Sequence, residues 1–429
     1  MPISMPPLST TNQNTKQQSA AVATRANIKP PVASILKNSF KTVLYGLLSL
    51  SLMLILIEGF LALNHIGEQE YLKVDPVIGF AHLENKLVTD RSESLGIDKI
   101  NKSGLMDVEH SLTKTPGQQR VAILGDSITE ALQLPIKERF TRVLEGKLNA
   151  ASPQRYDVIN FGVGGFGTGQ EYLQFIKDVQ PYKPDQVILM YHQGDETENS
   201  PDGSKWSLQP TFTLSANDTP QIRYQEFDTW RKSSSAAPLT FFDWGRRNSH
   251  IWQCLLQTHS SLKNEPIYKR ITDLSTKTSK GVEKIFSGAA KSNNEDQQIN
   301  TDRQRLLEAA GIENDFQPLP SQYDASKKWL LTKKLIELLN AQCQRKKIKL
   351  LIAFIPALEK PVSSRLDFSE KIDELQKLGE VEGFETLNIS PKLYAAEKET
   401  TRPIILLAHL SPRGHEIVAS EIFSFLSGH

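Results

Sequence analysis

Apolar residues follow three patterns along this chain, and each predicts a different kind of element. The first is one long block. From Thr42 to Leu63 about twenty residues run with an unbroken apolar or small core between Val43 and Ile57, enough to cross a hydrocarbon layer of roughly 30 Å as a single helix. Its ionisable residue, Glu58, lies toward the C-terminal end, where it reaches the headgroup region at modest cost. The second pattern starts at Arg120, where short apolar runs alternate with helix-spaced segments. Strands are predicted at Arg120–Leu124, Tyr156–Phe161, Gln186–Tyr191, Lys349–Ile355 and Thr386–Ile389. Between them, Pro135–Asn149 carries Phe140, Val143, Leu144 and Leu148 on one helical face, and Tyr172, Phe175, Ile176 and Val179 repeat that spacing until Pro181 and Pro184 close it. Further helices are predicted from about Ala325 to Gln344 and from Glu370 to Leu378. A last one is capped by Ser411, with Pro412 in its first turn and Val418, Ile422 and Phe425 as its stripe. This rhythm implies a parallel sheet with helices on both faces.

The third pattern is a break in the second. From Ser200 to about Pro320 the chain is mixed and polar but holds Trp206, Phe212, Trp230, Phe241, Phe242 and Trp252, so it reads as an insertion folded in part over the site. The predicted organisation is a disordered cytoplasmic tail (1–41), a transmembrane helix (42–63), a weakly periodic juxtamembrane segment packing on the domain (64–119), and an α/β domain (120–429) interrupted at about 200–320.

Charge changes the picture in one place. The net charge of +1 offers no basic excess and excludes a nucleic-acid function built on a charged patch. Lys16, Arg25, Lys29, Lys37 and Lys41, with no acid among them, precede the apolar block, and Glu68 and Glu70 follow it. The positive-inside rule then sets the N-terminus in the cytoplasm and the domain on the outer, periplasmic side of the plasma (inner) membrane. A cleaved signal peptide fits less well, because the run is long and no small-x-small site follows; an organelle transit peptide is the other alternative. Cys254 and Cys343 are too few for a disulfide framework, although an oxidising exterior would allow one bridge; buried free thiols are the default.

The candidate chemistry lies in four blocks. Gly125-Asp126-Ser127-Ile128 follows the run Val121–Leu124, so a strand delivers a serine into a tight turn. Asn160-Phe161-Gly162-Val163-Gly164-Gly165 and Gln193-Gly194-Asp195-Glu196 also follow predicted strands, and in an open parallel sheet such positions share one crevice. His409-Leu410-Ser411-Pro412-Arg413-Gly414-His415 lies near the C-terminus. In this order the blocks resemble the SGNH/GDSL hydrolase family, over roughly Arg120–Asn199 and Lys349–Leu426. The resemblance implies a three-layer α/β sandwich with a central parallel sheet, the flavodoxin-like SGNH hydrolase fold. It implies Ser127 as nucleophile, His409 as its base, and the backbone N–H groups of Ser127 and Gly165 as oxyanion donors. Asp126 then stabilises the turn, and His415, the rival base, has a structural role.

Two positions depart from the family pattern. An Asp usually precedes the catalytic His by two or three residues; here those positions are Leu407 and Leu406, so either another oxygen, a backbone carbonyl or a carboxylate from the insertion, orients His409 or catalysis is lost. The third block lacks its oxyanion Asn. Either the Gln193 amide replaces it, as in the Gln-Gly-Glu variant of some carbohydrate acetylesterases, or a protonated Asp195 does; Gln193 is the favoured of the two. Glu196 and Glu198 read as a solvated loop face, and no metal or other cofactor is expected. The resemblance points to a membrane-anchored serine esterase or O-acyltransferase acting on a small-molecule or glycan acyl ester, with an envelope glycan as one candidate and no nucleic-acid partner. The alternative is a catalytically lapsed binding or assembly protein of the envelope.

Overall fold

A computed structural model describes residues 32–428 except 68–69, 201–208, 225–244, 246–247, 256–292, 315–324, 358–363 and 399–402. The expected disorder of the first thirty-one residues, and Trp206, Trp230, Phe241 and Phe242, lie outside the described residues. The chain divides into two units, Met1–Asn64 and His65–His429. The first contains one helix, Val32–Leu63, which starts before the expected Thr42. Its stretch Ser39–Leu63, with mean hydropathy 2.2, is long and apolar enough to cross a membrane.

The second unit is built on five parallel strands: β5 (Gln119–Leu124), β6 (Tyr156–Asn160), β7 (Gln186–His192), β11 (Lys349–Ile355) and β12 (Glu385–Asn388). They are ordered β12-β11-β7-β5-β6. Read from the other edge, the first strand lies between the second and third, the flavodoxin-like order. Successive side chains on a strand point to opposite faces, and both faces are covered, which is why the runs are apolar throughout rather than alternating. Val121, Ile123, Val158, Ile188, Met190 and Leu351 pack with Phe140, Leu144 and Leu148 of the Phe140–Ala151 helix and Val418 and Ile422 of the Pro412–Ser427 helix. Ala122, Leu124, Ile159, Val187, Leu189 and Ile352 pack on the opposite face with Tyr172, Leu335, Leu339 and Phe368 from the Thr168–Gln174, Ala325–Arg345 and Ser364–Glu382 helices.

Two local shapes differ from the expected helices. Pro135 opens a 3-10 turn at Ile136–Glu138 and Arg139 is extended, so the α-helix proper begins at Phe140. The segment from Thr168 gives way to a π-turn at Phe175–Val179, which shifts its register within what reads as one helix.

The described part of the insertion includes a small sheet ordered β10-β9-β8, with β8 (Thr211–Leu214), β9 (Pro220–Arg223) and β10 (Glu313–Asn314), and the helix Asn293–Ala310. It joins the core on the Thr168–Gln174 side of the sheet through Phe212, Ile222, Tyr224 and Leu307. Most of the insertion expected to cover the site lies outside the described residues; within them, the Gln209 amide reaches the turns beside Ser127 and donates to the Gly165 carbonyl at 3.1 Å. The juxtamembrane segment forms two hairpins, β1 (Leu72–Asp75) with β2 (Gly79–His82) and β3 (Leu87–Asp90) with β4 (Gly96–Lys99).

Candidate active site

Ser127 stands where the strand order reverses, just past the carboxyl end of β5. The Asp126 carboxylate accepts the Ile128 N–H at 2.9 Å and caps the helical turn Ser127–Glu130, so Ser127 occupies its first position. Its N–H has no acceptor within that turn, because the first amides of a helix never do. Ser127 itself is half-buried.

His409 reaches it from the other end of the chain. Leu406 to His409 form a turn closed by the Leu406 N–H on the His409 carbonyl at 2.9 Å. The Gln133 amide donates to the Leu410 carbonyl at 3.0 Å, and Ser411 caps the following helix through the Gly414 N–H. Together these hold His409 Nε2 3.0 Å from Ser127 Oγ. Nδ1 lies 2.6 Å from Glu93 Oε1, and Glu93 Oε2 accepts the N–H groups of His409 at 3.0 Å and Leu407 at 3.2 Å. Burial alone would raise the pKa of Glu93, but the hydrogen bonds from the His409 ring and backbone outweigh it and hold the carboxyl below its usual range. An ionised carboxylate only accepts, so Nδ1 carries the ring proton and Nε2 offers its lone pair to the Ser127 hydroxyl.

Glu93 is the residue that sequence reasoning missed. The carboxylate beside His409 comes from the juxtamembrane segment, not from the insertion or a backbone carbonyl. It sits in the loop between β3 and β4, with its side chain only 6% exposed. Close backbone contact seats this hairpin: a Cβ on Gly96 would lie 1.9 Å from the Leu132 carbonyl oxygen, so only glycine fits there. Asp98 of β4 accepts the Ile136 N–H at 2.9 Å and an Arg139 N–H at 3.0 Å. The neighbouring hairpin is tied in as well, since buried His82 meets Glu130 of the serine turn at 2.6 Å.

On the other side of Ser127, a Cβ on Gly164 would lie 3.5 Å from the serine Cβ and 2.7 Å from Glu130 Oε2, and Gly165 follows in the left-handed region at φ 82°. The Gly164 N–H donates to Glu130 Oε2 at 3.1 Å. Gln193 is buried, and its carbonyl oxygen accepts the Ala357 N–H at 3.4 Å. Asp195 is fully buried and accepts the His192 N–H at 3.0 Å, which withdraws it from any substrate side of the pocket. Burial, then the charges of Glu171, Asp126 and Glu198, push its pKa well above the carboxylate range. Glu198 is likewise buried rather than part of a solvated face, whereas Glu196 pairs with Lys371 at 2.7 Å. Folding also gathers Asp126, His192 and Asp195 from two separate blocks, with one ligand atom of each within 4.8 Å of the others. Both cysteines are free, and burial raises the Cys343 thiol to about 12.

His415 is remote from this chemistry. It is wholly buried, stacks on Phe140 at 5.7 Å, and its Nδ1 accepts the Phe140 N–H at 3.2 Å. Burial, then Arg139 and His409, lowers its pKa to about 3. His110 goes the other way. Burial lowers its pKa, but hydrogen bonds to Asp107 and Asp157 outweigh that and lift it to about 9. Stability should respond with two flanks. Below about 6.5, the ordinary imidazole value, the unfolded chain takes up a proton that folded His415 refuses, so stability falls with pH. Between there and about 9, the contribution of charged His110, fully present below 6.5, is lost as pH rises. Each flank is worth on the order of a few kcal/mol. A thermal midpoint that peaks near neutrality, with a flattened alkaline flank in His110→Gln, is the expected result; an unchanged flank would contradict the pairing.

The sheet order is that of a flavodoxin-like α/β fold, with a serine at the end of its first strand in hydrogen-bond reach of a histidine before the Pro412–Ser427 helix. Solved structures similar to this chain include an acetyl xylan esterase, AlAXEase, at 16% identity over 72% of this chain and 99% of that one, with a TM-score of 0.34. A GDSL-like lipase from Bacteroides thetaiotaomicron is 10% identical over 72% and 88%, with a TM-score of 0.33. A catalytic mutant of Axe2, an acetylxylan esterase from Geobacillus stearothermophilus, is 12% identical over 71% and 92%, with a TM-score of 0.35. No family model and no curated protein sequence matches the chain. At these identities and TM-scores the likeness carries no argument, and the functional reading rests on the site's own geometry.

Proposed function

We propose that the chain is a membrane-anchored serine esterase or O-acyltransferase whose triad is Ser127, His409 and Glu93. The observation that supports it is the continuous hydrogen-bonded relay from Glu93 through His409 to Ser127 Oγ, at 2.6 and 3.0 Å. Ser127 Oγ attacks the acyl carbon of an ester while His409 Nε2 takes the hydroxyl proton, and Glu93 stabilises the imidazolium. Oxyanion stabilisation falls to the N–H groups of Ser127 and Gly165. Collapse breaks the ester C–O bond, and the leaving alkoxide takes the proton back from His409. Water, or a sugar hydroxyl in the transferase case, then gives its proton to His409, attacks the acyl-serine and releases Ser127. Acyl esters of an envelope glycan on the periplasmic side are the proposed substrates, given an anchor preceded by Lys and Arg alone.

Two measurements test this reading. The detergent-solubilised full chain should label with a serine-reactive fluorophosphonate, and Ser127→Ala should abolish labelling while the thermal midpoint stays within a few degrees. Labelling that survives in Ser127→Ala, or none in a folded parent chain, favours the binding-protein reading. Deleting residues 1–64 should move the protein from the membrane fraction into solution; retention on membranes at high salt would refute the single anchor.

A further inference from the structure

Residues 162–166 run beside the serine turn, and most of their N–H groups are already committed. Gly162 donates to Asn160 Oδ1 at 2.8 Å, Val163 to the Gly125 carbonyl at 3.1 Å, Gly164 to Glu130 Oε2 at 3.1 Å and Phe166 to the Val163 carbonyl at 3.2 Å. The Gly165 N–H has no acceptor among the described residues. It is the donor this loop leaves for an oxyanion, and its aim depends on what holds Gly164.

That hold is Glu130. Its own N–H donates to the Asp126 carbonyl at 2.9 Å within the serine turn while its side chain takes the Gly164 N–H, so one residue joins the segments that carry the Ser127 and Gly165 donors. The two segments touch, since a Cβ on Gly162 would lie 2.3 Å from the Glu130 nitrogen. Glu130 is held in turn by His82 of β2. The Gly104 carbonyl, 3.1 Å from His82 Nδ1, can only accept, so Nδ1 carries a proton and Nε2 is the nitrogen that meets Glu130 Oε1 at 2.6 Å. Both side chains are buried, and water has no access to replace either partner.

We infer that His82 and Glu130 are positioning residues for the oxyanion donors: His82 fixes Glu130, and Glu130 fixes the spacing between the Ser127 and Gly165 N–H groups. The inference rests on the esterase reading above and gives the buried pair a part in its rate. Catalytic donors act only when held within about 0.5 Å of their productive places, and a turn released at Gly164 loses that precision. Charge reaches the oxygen mainly in the transition state, so the loss falls on kcat and leaves KM nearly alone.

Two amides at position 82 separate this role from packing. A Gln side chain brings its NH2 group close to where Nε2 stands and keeps the link to Glu130, whereas an Asn side chain brings it close to where Nδ1 stands and keeps only the link to Gly104. In the detergent-solubilised full chain, His82→Asn should lower kcat on a generic acyl ester, per site titrated with fluorophosphonate, by about ten- to hundredfold. KM should hold, and His82→Gln should recover most of the rate. Hydrogen exchange reads the link without catalysis: residues 162–166 should exchange faster in His82→Asn and at the parent's rate in His82→Gln. Should His82→Asn fail to fold, Glu130→Met, which keeps the length but removes both carboxyl oxygens, decides on the same readouts. Unchanged exchange or unchanged kcat in folded His82→Asn, or equal losses in both amide variants, overturns the proposal. Failure of the esterase reading shows differently, as a folded parent chain that never labels; the exchange comparison then still decides whether His82 holds the Gly164 turn.

Discussion

Replacing Glu93 by Gln should lower kcat on a generic acyl ester by about 10⁴-fold, or roughly 5.5 kcal/mol of transition-state stabilisation. A carboxamide fills the same space, but it can present N–H to His409 Nδ1. That moves the ring proton to Nε2, where it opposes the Ser127 hydroxyl instead of accepting from it. The stabilising charge for the imidazolium disappears as well. KM should change little, because the Glu93 side chain is 6% exposed and turned toward His409, not toward the pocket opening. Glu93→Asp keeps the charge but shortens the reach, so it should fall between the two. Steady-state kinetics with circular dichroism as a folding control checks the claim. A Glu93→Gln enzyme within tenfold of the parent would remove Glu93 from the triad.

Arg139→Ala should cost about 3–5 kcal/mol of stability, a fall on the order of 10 °C in thermal midpoint. The guanidinium is 1% exposed and donates to the Met106 carbonyl at 2.7 Å, the Leu134 carbonyl at 2.8 and 3.1 Å, and the Asp98 carboxylate at 3.0 Å. Alanine removes the Arg139 donors from the Met106 and Leu134 carbonyls, and leaves the half-buried Asp98 carboxylate with the Ile136 N–H but without its cationic partner. The loss should also reach the chemistry, since Asp98 belongs to the strand that follows the Glu93 loop. Calorimetry together with kcat on the same variant reads both. A midpoint within 2 °C or so of the parent would show that other contacts seat the hairpin.

The sheet and two of these three side chains are visible in the amino-acid order for a physical reason. A parallel strand buried on both faces has to be an apolar run, and Val121–Leu124, Gln186–Tyr191 and Lys349–Ile355 are such runs. Ser127 and His409 each abut a local signal, a strand end and a capped helix start. Glu93 abuts none. Arg91-Ser92-Glu93-Ser94 reads as any polar turn, and its hairpin strands are four residues each, too short to announce themselves by alternation. The π-turn at Phe175–Val179 is likewise a tertiary choice, invisible in spacing that fits a plain helix.

Glu93 and His409 are 316 residues apart in sequence. Where acid and base are near neighbours in a chain, that pair can form within one loop. Here closing the contact carries a loop-entropy term about 4 kcal/mol larger than for a three-residue separation, so it must form late, after the sheet has already brought both ends together. During synthesis Glu93 and Ser127 leave the ribosome well before His409. On the proposed triad, a chain that ends short of His409 cannot act on an ester by this route, so any activity would report that folding has brought distant segments together.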